Sequence, residues 1–187
     1  MILEKTALGG VYLLKPEKVF DDRGYFMRIY SEDDFAAEQI HFNFKQSAVS
    51  FNHTKGTWRG MHFQTPPYED EKLISCTRGV LRDYVVDIRP ASPTFKQWFS
   101  IDLYAEERWM LYLPKGIGHG IYTLNDNTEL TYHISQNYQP NHARGIRWND
   151  PLFNLKLPMP PIVISDRDLS FPDFDVEEAI RLSKQSK

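Results

Sequence analysis

Residues 108–135 read RWMLYLPKGIGHGIYTLNDNTELTYHIS, three short apolar runs separated by two turn sequences. LPKGIG and LNDN carry the Pro, Gly, Asn and Asp residues that close turns. RWMLYL, GIYTL and ELTYHIS carry the aromatic and β-branched residues that fit a pleated surface. The last run alternates strictly, so Leu130, Tyr132 and Ile134 share one face while Glu129, Thr131, His133 and Ser135 share the other. Tyr132 therefore points where apolar side chains point, into an interior. The pattern continues outward. VYLL, YFMRIY, AVSF, WRGMHF, KLISCT, LRDYVVDI and KQWFSIDL precede it, broken by TPPYED and RPASPT, and GIRW follows NYQPN. Many short strands at spacings of about ten residues predict a β-sandwich or barrel. Helix signals are confined to Ser31–Ile40, which opens on a Ser cap, and to DVEEAIRLSK, where Asp175 and Glu178 stand at capping-box spacing.

A chain of 187 residues with 41% hydrophobic and 14% aromatic content can fill one sizeable core, and a single domain over residues 1–187 is expected. The formal net charge of −3 and the absence of long Lys/Arg runs argue against nucleic acid and anionic lipid as partners. The opening apolar stretch is short and interrupted by Gly9 and Gly10, so neither a signal peptide nor a membrane span is expected. The one cysteine, Cys76, permits no intrachain disulfide, which suits a reducing cytoplasm, and its LISC setting reads as core. The proline-rich PMPPIV at 158–163 reads as a rigid crossing over the barrel.

Polar residues recur on the predicted strands: Arg59, His62 and Gln64 in WRGMHFQ, Lys72 in EKLIS, His119 in KGIGHG. Taken singly, an inward His or Tyr is an ordinary hydrogen-bonded core group. Together, buried cations call for an anion, and the set suggests a pocket for a phosphate-bearing ligand. Arg59 and His62 have opposite parity, so both can face the lumen only if Gly60 carries a bulge or twist. Two histidines also raise metal binding, but Gln64 stands where a metal-binding HxH pair would have its second imidazole, and the set falls short of the usual ligand number. No metal is expected.

These motifs are collinear with a known family. DDRGYF (21–26), KGTWRGMHFQTPP (55–67), EKLISCTRGVLRDYVVDIRPASPTFKQW (71–98), LPKGIGHGIYTLNDNTELTY (113–132), NYQP (137–140), GIRWNDP (145–151) and ISDRD (164–168) resemble the dTDP-4-dehydrorhamnose 3,5-epimerases, the RmlC-like cupins. The resemblance implies a cupin-type β jelly roll with short peripheral helices. It also implies an isomerase, without metal or other cofactor, that inverts carbons beside the C4 ketone of a nucleotide-diphospho-4-keto-6-deoxyhexose to make an L-sugar precursor. By the same resemblance His62 is the base, Asp168 its orienting carboxylate, Tyr132 the acid on the opposite face, and Lys72 the stabiliser of the C4 oxygen. Arg59 and His119 would contact the diphosphate, Arg23, Arg28 and Gln46 would lie near the nucleoside, and Tyr138 would stack on the base. Family members are homodimers that exchange N-terminal strands, so Arg23 and Arg28 are expected to serve the neighbouring subunit's pocket. Asp83 and Asp87 agree in parity and read as pocket or supporting groups.

Two positions depart from the family: Arg28 where Glu is usual, and Ala48 where Asn is usual. A guanidinium cannot accept a base N–H as a carboxylate can, which leaves CDP- and GDP-linked sugars as alternatives to dTDP. An epimerase acting at C3 or C5 alone, a non-catalytic sugar-nucleotide-binding cupin and a metal-dependent cupin oxygenase are the other readings.

Overall fold

The computed structural model describes residues 1–184. The strands run β1 (Ile2–Lys5), β2 (Tyr12–Lys15), β3 (Val19–Asp21), β4 (Gly24–Phe26), β5 (Gln46–Asn52), β6 (Trp58–Gln64) and β7 (Lys72–Arg78). They continue through β8 (Val80–Asp87), β9 (Trp98–Tyr104), β10 (Met110–Leu113), β11 (Ile117–Thr123), β12 (Thr128–Ile134) and β13 (Ala143–Gly145). Helices are short: α1 (Glu32–Ala37), α2 (Asp166–Ser170) and α3 (Val176–Ser183). Two sheets form the barrel, one of six strands ordered β1-β2-β10-β7-β12-β5 and one of five ordered β13-β6-β11-β8-β9. All their pairings are antiparallel, and β3 and β4 form a separate hairpin. This is the expected all-β cupin-type jelly roll with short peripheral helices.

Period-two alternation divides each strand between two environments. Between the sheets, Leu13, Ile74, Leu111 and Leu130 of the six-stranded sheet meet Leu81, Val85, Leu103 and Ile121 of the other. The outer face of the six-stranded sheet is covered in part by Phe35 of α1 and by Phe42, which pack on Leu14, Leu73 and Tyr112. The outer face of the five-stranded sheet carries Trp58, Met61, Tyr84 and Tyr122 under Ile146, Phe153 and Leu155 from the chain after β13. Burying apolar area on both outer faces as well as between the sheets supplies the driving force, at roughly 25 cal/mol per Å².

The two expected helices form. Ser31 caps α1 by accepting from Asp34 N–H, and Asp175 caps α3 by accepting from Glu178 N–H. The crossing of 158–163 runs over the barrel edge, where Ile162 N–H donates to Gly56 O and Val163 bridges Thr57. Differences lie in the irregular parts. The strand expected over YFMRIY stops at Phe26, and the strand beside GIRW is placed at Ala143–Gly145. The acidic SDRD stretch begins α2, with Ser165 as its cap. Cys76 is buried, and burial pushes its thiol up to about 11, so it stays protonated.

Candidate active site

The lumen lies between the two sheets, and its candidate residues come from β6 and β11, paired in the five-stranded sheet, and from β7 and β12, paired in the six-stranded one. Strand β6 carries Arg59 and His62 into it by a bulge. In the register with β11, His62 faces His119 and Arg59 faces Ile121, so β6 has one residue more than its partner over this stretch. Trp58 and Met61, three positions apart, accordingly pack in the same outer cluster, which turns Arg59 and His62 together to the other side. Gly60 makes the bulge possible. Its φ is +133°, and a Cβ there would stand 2.4 Å from Gly120 Cα.

His62 Nε2–H donates to Asp168 Oδ1 at 2.7 Å, and Gly60 N–H donates to Asp168 Oδ2 at 3.1 Å. The His62 side chain is 42% exposed while that of Asp168 is 5% exposed, so a buried carboxylate holds an imidazole at the edge of an open space. Burial opposes charge on Asp168, but the hydrogen bond and charge of His62, with Gly60 and Ser165, hold its carboxyl below the usual range. Fixing the proton on Nε2 leaves Nδ1 as the ring nitrogen able to accept one.

Tyr132 stands on the other sheet. Its ring lies 6.0 Å from that of His119, edge to face. Burial raises its phenol well above the usual tyrosine range, Asp83 adds to the rise and Arg59 opposes it, so the hydroxyl remains a proton donor at neutral pH. Lys72, on β7 beside Tyr132's strand, reaches within 3.4 Å of His62 O and 3.3 Å of Asp70 Oδ2. Arg59 Nε–H donates to Asn52 Oδ1 at 2.6 Å.

His119, expected to contact the diphosphate, sits on β11. It is 4% exposed, lies opposite His62 in the register, and its Nε2 is 2.8 Å from Asp83 Oδ2. Burial raises Asp83 above the usual carboxyl range against the pull of His119 and Lys72, and among the described residues its Oδ1 has no hydrogen-bond partner. Asp87, of matching parity, does different work. It accepts from Arg89 N, Nε and Nη2, from Ser92 Oγ and from Thr94 Oγ1, and so anchors the RPASPT turn. Gln64 is likewise structural: its amide donates to Tyr68 O and accepts from Gln139 N–H, tying two loops together.

The nucleoside candidates divide. Gln46 donates to Gln136 O, and Tyr138, in the adjoining turn, is 54% exposed with the Arg167 guanidinium 5.9 Å from its ring centre. Arg23 and Arg28 lie away from the lumen of their own chain. Arg23 pairs with Asp21 on the β3–β4 hairpin, and Arg28 borders a hollow of about 170 Å³ with Glu17 and Asp34. That hairpin exposes Val19, Phe20 and Phe26. A second hollow, of about 250 Å³ between α3 and Phe63, Ile88 and Phe171, includes none of His62, Lys72 and Tyr132. Among the described residues no group of three or more His, Cys, Asp or Glu side chains is arranged to hold a metal ion, and both lumen histidines are engaged by carboxylates.

Three residues of this site escape sequence reasoning: Asp70 beside Lys72, Phe171 at 6.1 Å from the His62 ring, and Arg167. Asp70 shares parity with Lys72, which is a usable signal. Phe171 and Arg167 become visible only once α2 is known to be a helix.

The jelly-roll fold is what the chain has in common with proteins of known activity. A family model described as dTDP-4-dehydrorhamnose 3,5-epimerase matches residues 5–175. The chain belongs to that family. A dTDP-4-dehydrorhamnose 3,5-epimerase from Sinorhizobium fredii is 36% identical over 173 residues, covering 92% of this chain and 89% of the relative. A solved epimerase of the same name from Bacillus anthracis, with TDP and PPi bound, superposes with a TM-score of 0.89 at 35% identity, covering 92% of this chain and 99% of that one. A 3′-monoepimerase from Streptomyces bikiniensis, solved with dTDP-quinovose, matches with a TM-score of 0.84 at 30% identity, covering 97% and 93%. Like the rest of its family, this chain is an epimerase, an enzyme of the isomerase class. No helix among the described residues is long and apolar enough to cross a membrane.

Proposed function

We propose that this epimerase acts on a dTDP-linked 4-keto-6-deoxyhexose, inverting C3 and C5 to supply an L-sugar precursor such as that of dTDP-rhamnose. The observation that supports the reading is that His62 lies on the five-stranded sheet and Tyr132 on the six-stranded one, with His119, the register partner of His62, 6.0 Å from the Tyr132 ring. Inversion beside a ketone removes a proton from one face and returns one to the other, which requires a base and an acid on opposite walls.

In this mechanism His62 Nδ1 takes the proton from the carbon, and Asp168 stabilises the imidazolium through the bond to Nε2. Negative charge moves onto the C4 oxygen, where the Lys72 ammonium meets it. Tyr132 donates to the opposite face and is recharged from solvent, the high pKa of its phenol ensuring that it is protonated when needed. Arg59 takes the diphosphate, Gln46 and Tyr138 the nucleoside. No step calls for a metal or other cofactor: the charge that a Lewis acid would neutralise falls to Lys72. The exposed β3–β4 hairpin, with Arg23 and Arg28, fits a homodimer that exchanges N-terminal strands, each hairpin completing the neighbour's nucleoside site. The chain acts as one domain over residues 1–187, in the cytoplasm.

Incubation with the dTDP 4-keto sugar in heavy water, followed by NMR, should place deuterium at both C3 and C5 with inversion at each. Label at one carbon only selects the single-carbon epimerase, the reading that the 3′-monoepimerase match supports. No label at either carbon overturns the proposal.

A further inference from the structure

A lysine is a compact charge on a flexible four-carbon stem, so the fold has to fix where the Lys72 ammonium stands. A nucleotide-sugar substrate brings two negative centres into the lumen: the diphosphate, charged throughout, and the C4 oxygen, charged only during proton transfer. A free ammonium would go to the first. The structure supplies a tether. Lys72 Nζ lies 3.3 Å from Asp70 Oδ2 and 3.4 Å from His62 O, and the Lys72 and Asp70 side chains are 10% and 9% exposed. Among the described residues the Asp70 carboxylate has no partner besides Lys72. The loop that carries it is fixed by other groups: the Gln64 amide donates to Tyr68 O, Glu71 N–H donates to Ser135 Oγ, and the Tyr112 hydroxyl donates to Glu71 Oε1. Glu71 thus takes the outer side of β7 with Leu73 and Tyr112, while Asp70 and Lys72 share the parity of Ile74 on the inner side.

The charges of the lumen sort in the same sense. Asp168 is bonded to His62, and Asp83, which also acts on Lys72 from β8, is bonded to His119. Asp70 is the carboxylate left for Lys72. Arg59, the cation assigned to the diphosphate, is held differently: its partner is the neutral amide of Asn52, at 2.6 Å, so its full charge is available to an anion. A carboxylate beside Lys72 cancels much of its pull on a distant anion, yet an oxygen in direct contact still receives an N–H. The ammonium has three donors, and with one turned to Asp70 and one to His62 O a third is free for the substrate beside the base. A donor already in place needs no reorganisation when charge develops.

We propose that Asp70 is the positioning residue of Lys72: it tethers the ammonium beside His62, so that the cation meets the charge forming on the C4 oxygen and not the charge already present on the diphosphate. The proposal rests on the nucleotide-sugar reading above. Asp70→Asn, which keeps the shape of the side chain and removes its charge, tests it, with deuterium exchange into the dTDP 4-keto sugar followed by NMR, dTDP binding by calorimetry, and a thermal melt on each variant to refer rates to folded protein. Its kcat should fall by about tenfold or more with KM no higher, and dTDP should bind as tightly or more so, because the released ammonium joins Arg59 at the diphosphate. Asp70→Glu, which keeps the charge, should recover most of kcat. In a Lys72→Met background Asp70→Asn should cost less than about twofold further, since its effect passes through Lys72. A wild-type kcat in Asp70→Asn overturns the proposal. So does an equal loss with and without Lys72, or a dTDP affinity weakened in step with kcat, either of which would make Asp70 only a support of its loop. Wild-type protein that places no deuterium in the sugar removes the substrate reading and this proposal together, whereas wild-type exchange with an unaffected Asp70→Asn removes the proposal alone.

Discussion

Replacing Gly60 by alanine should cost this enzyme both stability and activity, and the structure gives the size of the effect. At φ +133° an L side chain is strained, by about 1–3 kcal/mol. The added Cβ would also stand 2.4 Å from Gly120 Cα, more than 1 Å inside the roughly 3.5–4.0 Å at which carbon atoms rest, and 2.9 Å from His119 O. Both obstacles are backbone, so no rotamer relieves them, and β6 must separate from β11. Each strand hydrogen bond lost in doing so costs about 1 kcal/mol. The sum is about 3–5 kcal/mol, which for a chain of this size lowers Tm by roughly 10 °C. The separating strands carry His62 and His119, so deuterium exchange into substrate should fall further than the folded fraction does. Gly120→Ala is the control: its nearest contacts, Trp58 Cζ2 at 3.0 Å and Arg59 O at 3.1 Å, are tight, but its φ lies outside the left-handed region and it should cost less. Thermal melts and exchange assays on the two variants decide the matter. A Gly60→Ala protein melting within about 2 °C of wild type with full exchange would refute the claim that the bulge requires glycine.

His62→Ala should abolish solvent exchange at every sugar carbon while dTDP affinity stays within about tenfold, as read by NMR and calorimetry; substantial residual exchange would take the role of base away from His62. Tyr132→Phe leaves the base in place, so label should still enter on the original face while inversion falls by about 10²-fold or more. Parallel small losses of exchange and inversion, with a lowered Tm, would instead mark Tyr132 as a packing residue. Acid stability should depend on Asp87 and Asp168, whose folded pKa values are depressed by their hydrogen bonds despite burial. Their stabilisation is complete above the unfolded aspartate value of about 3.9 and disappears as pH falls through the lower folded values. Denaturant titrations from pH 7 to 2 should show this loss, and Asp87→Asn should be less stable at pH 7 with a shallower acid limb; an unaltered limb would exclude Asp87 as a contributor.

The strands were legible because alternation and turn residues coincide, as in ELTYHIS, where Leu130 and Tyr132 do share the interior face. The bulge was legible too, since two polar residues of opposite parity flank a glycine. Helix α2 was not: with five residues it has no periodicity to detect, and Asp166 and Asp168 look like solvated loop residues until the tertiary fold buries one of them. The β3–β4 hairpin reads poorly for the converse reason. Its side chains are exposed on both strands, Phe20 meeting Tyr25 edge to face on the hairpin itself, so they lack the alternation that a core imposes. Depth in the lumen is likewise a three-dimensional quantity. Pattern places His119 on an inner face, but only the fold brings Asp83 to it from the neighbouring strand.

The bond between His62 and Asp168 closes a loop of 106 residues, and this separates in time what the fold joins in space. At about 5–20 residues per second, the ribosome makes the histidine roughly 5–20 s before the carboxylate that orients it. By then all the strands of both sheets have been synthesised, and α2 has only to dock against β6. During that interval the nascent barrel has a lumen and a phenol but an imidazole whose tautomer nothing fixes. Competence to move protons therefore comes after the last barrel strand has been translated, as a latch on a vessel already shaped.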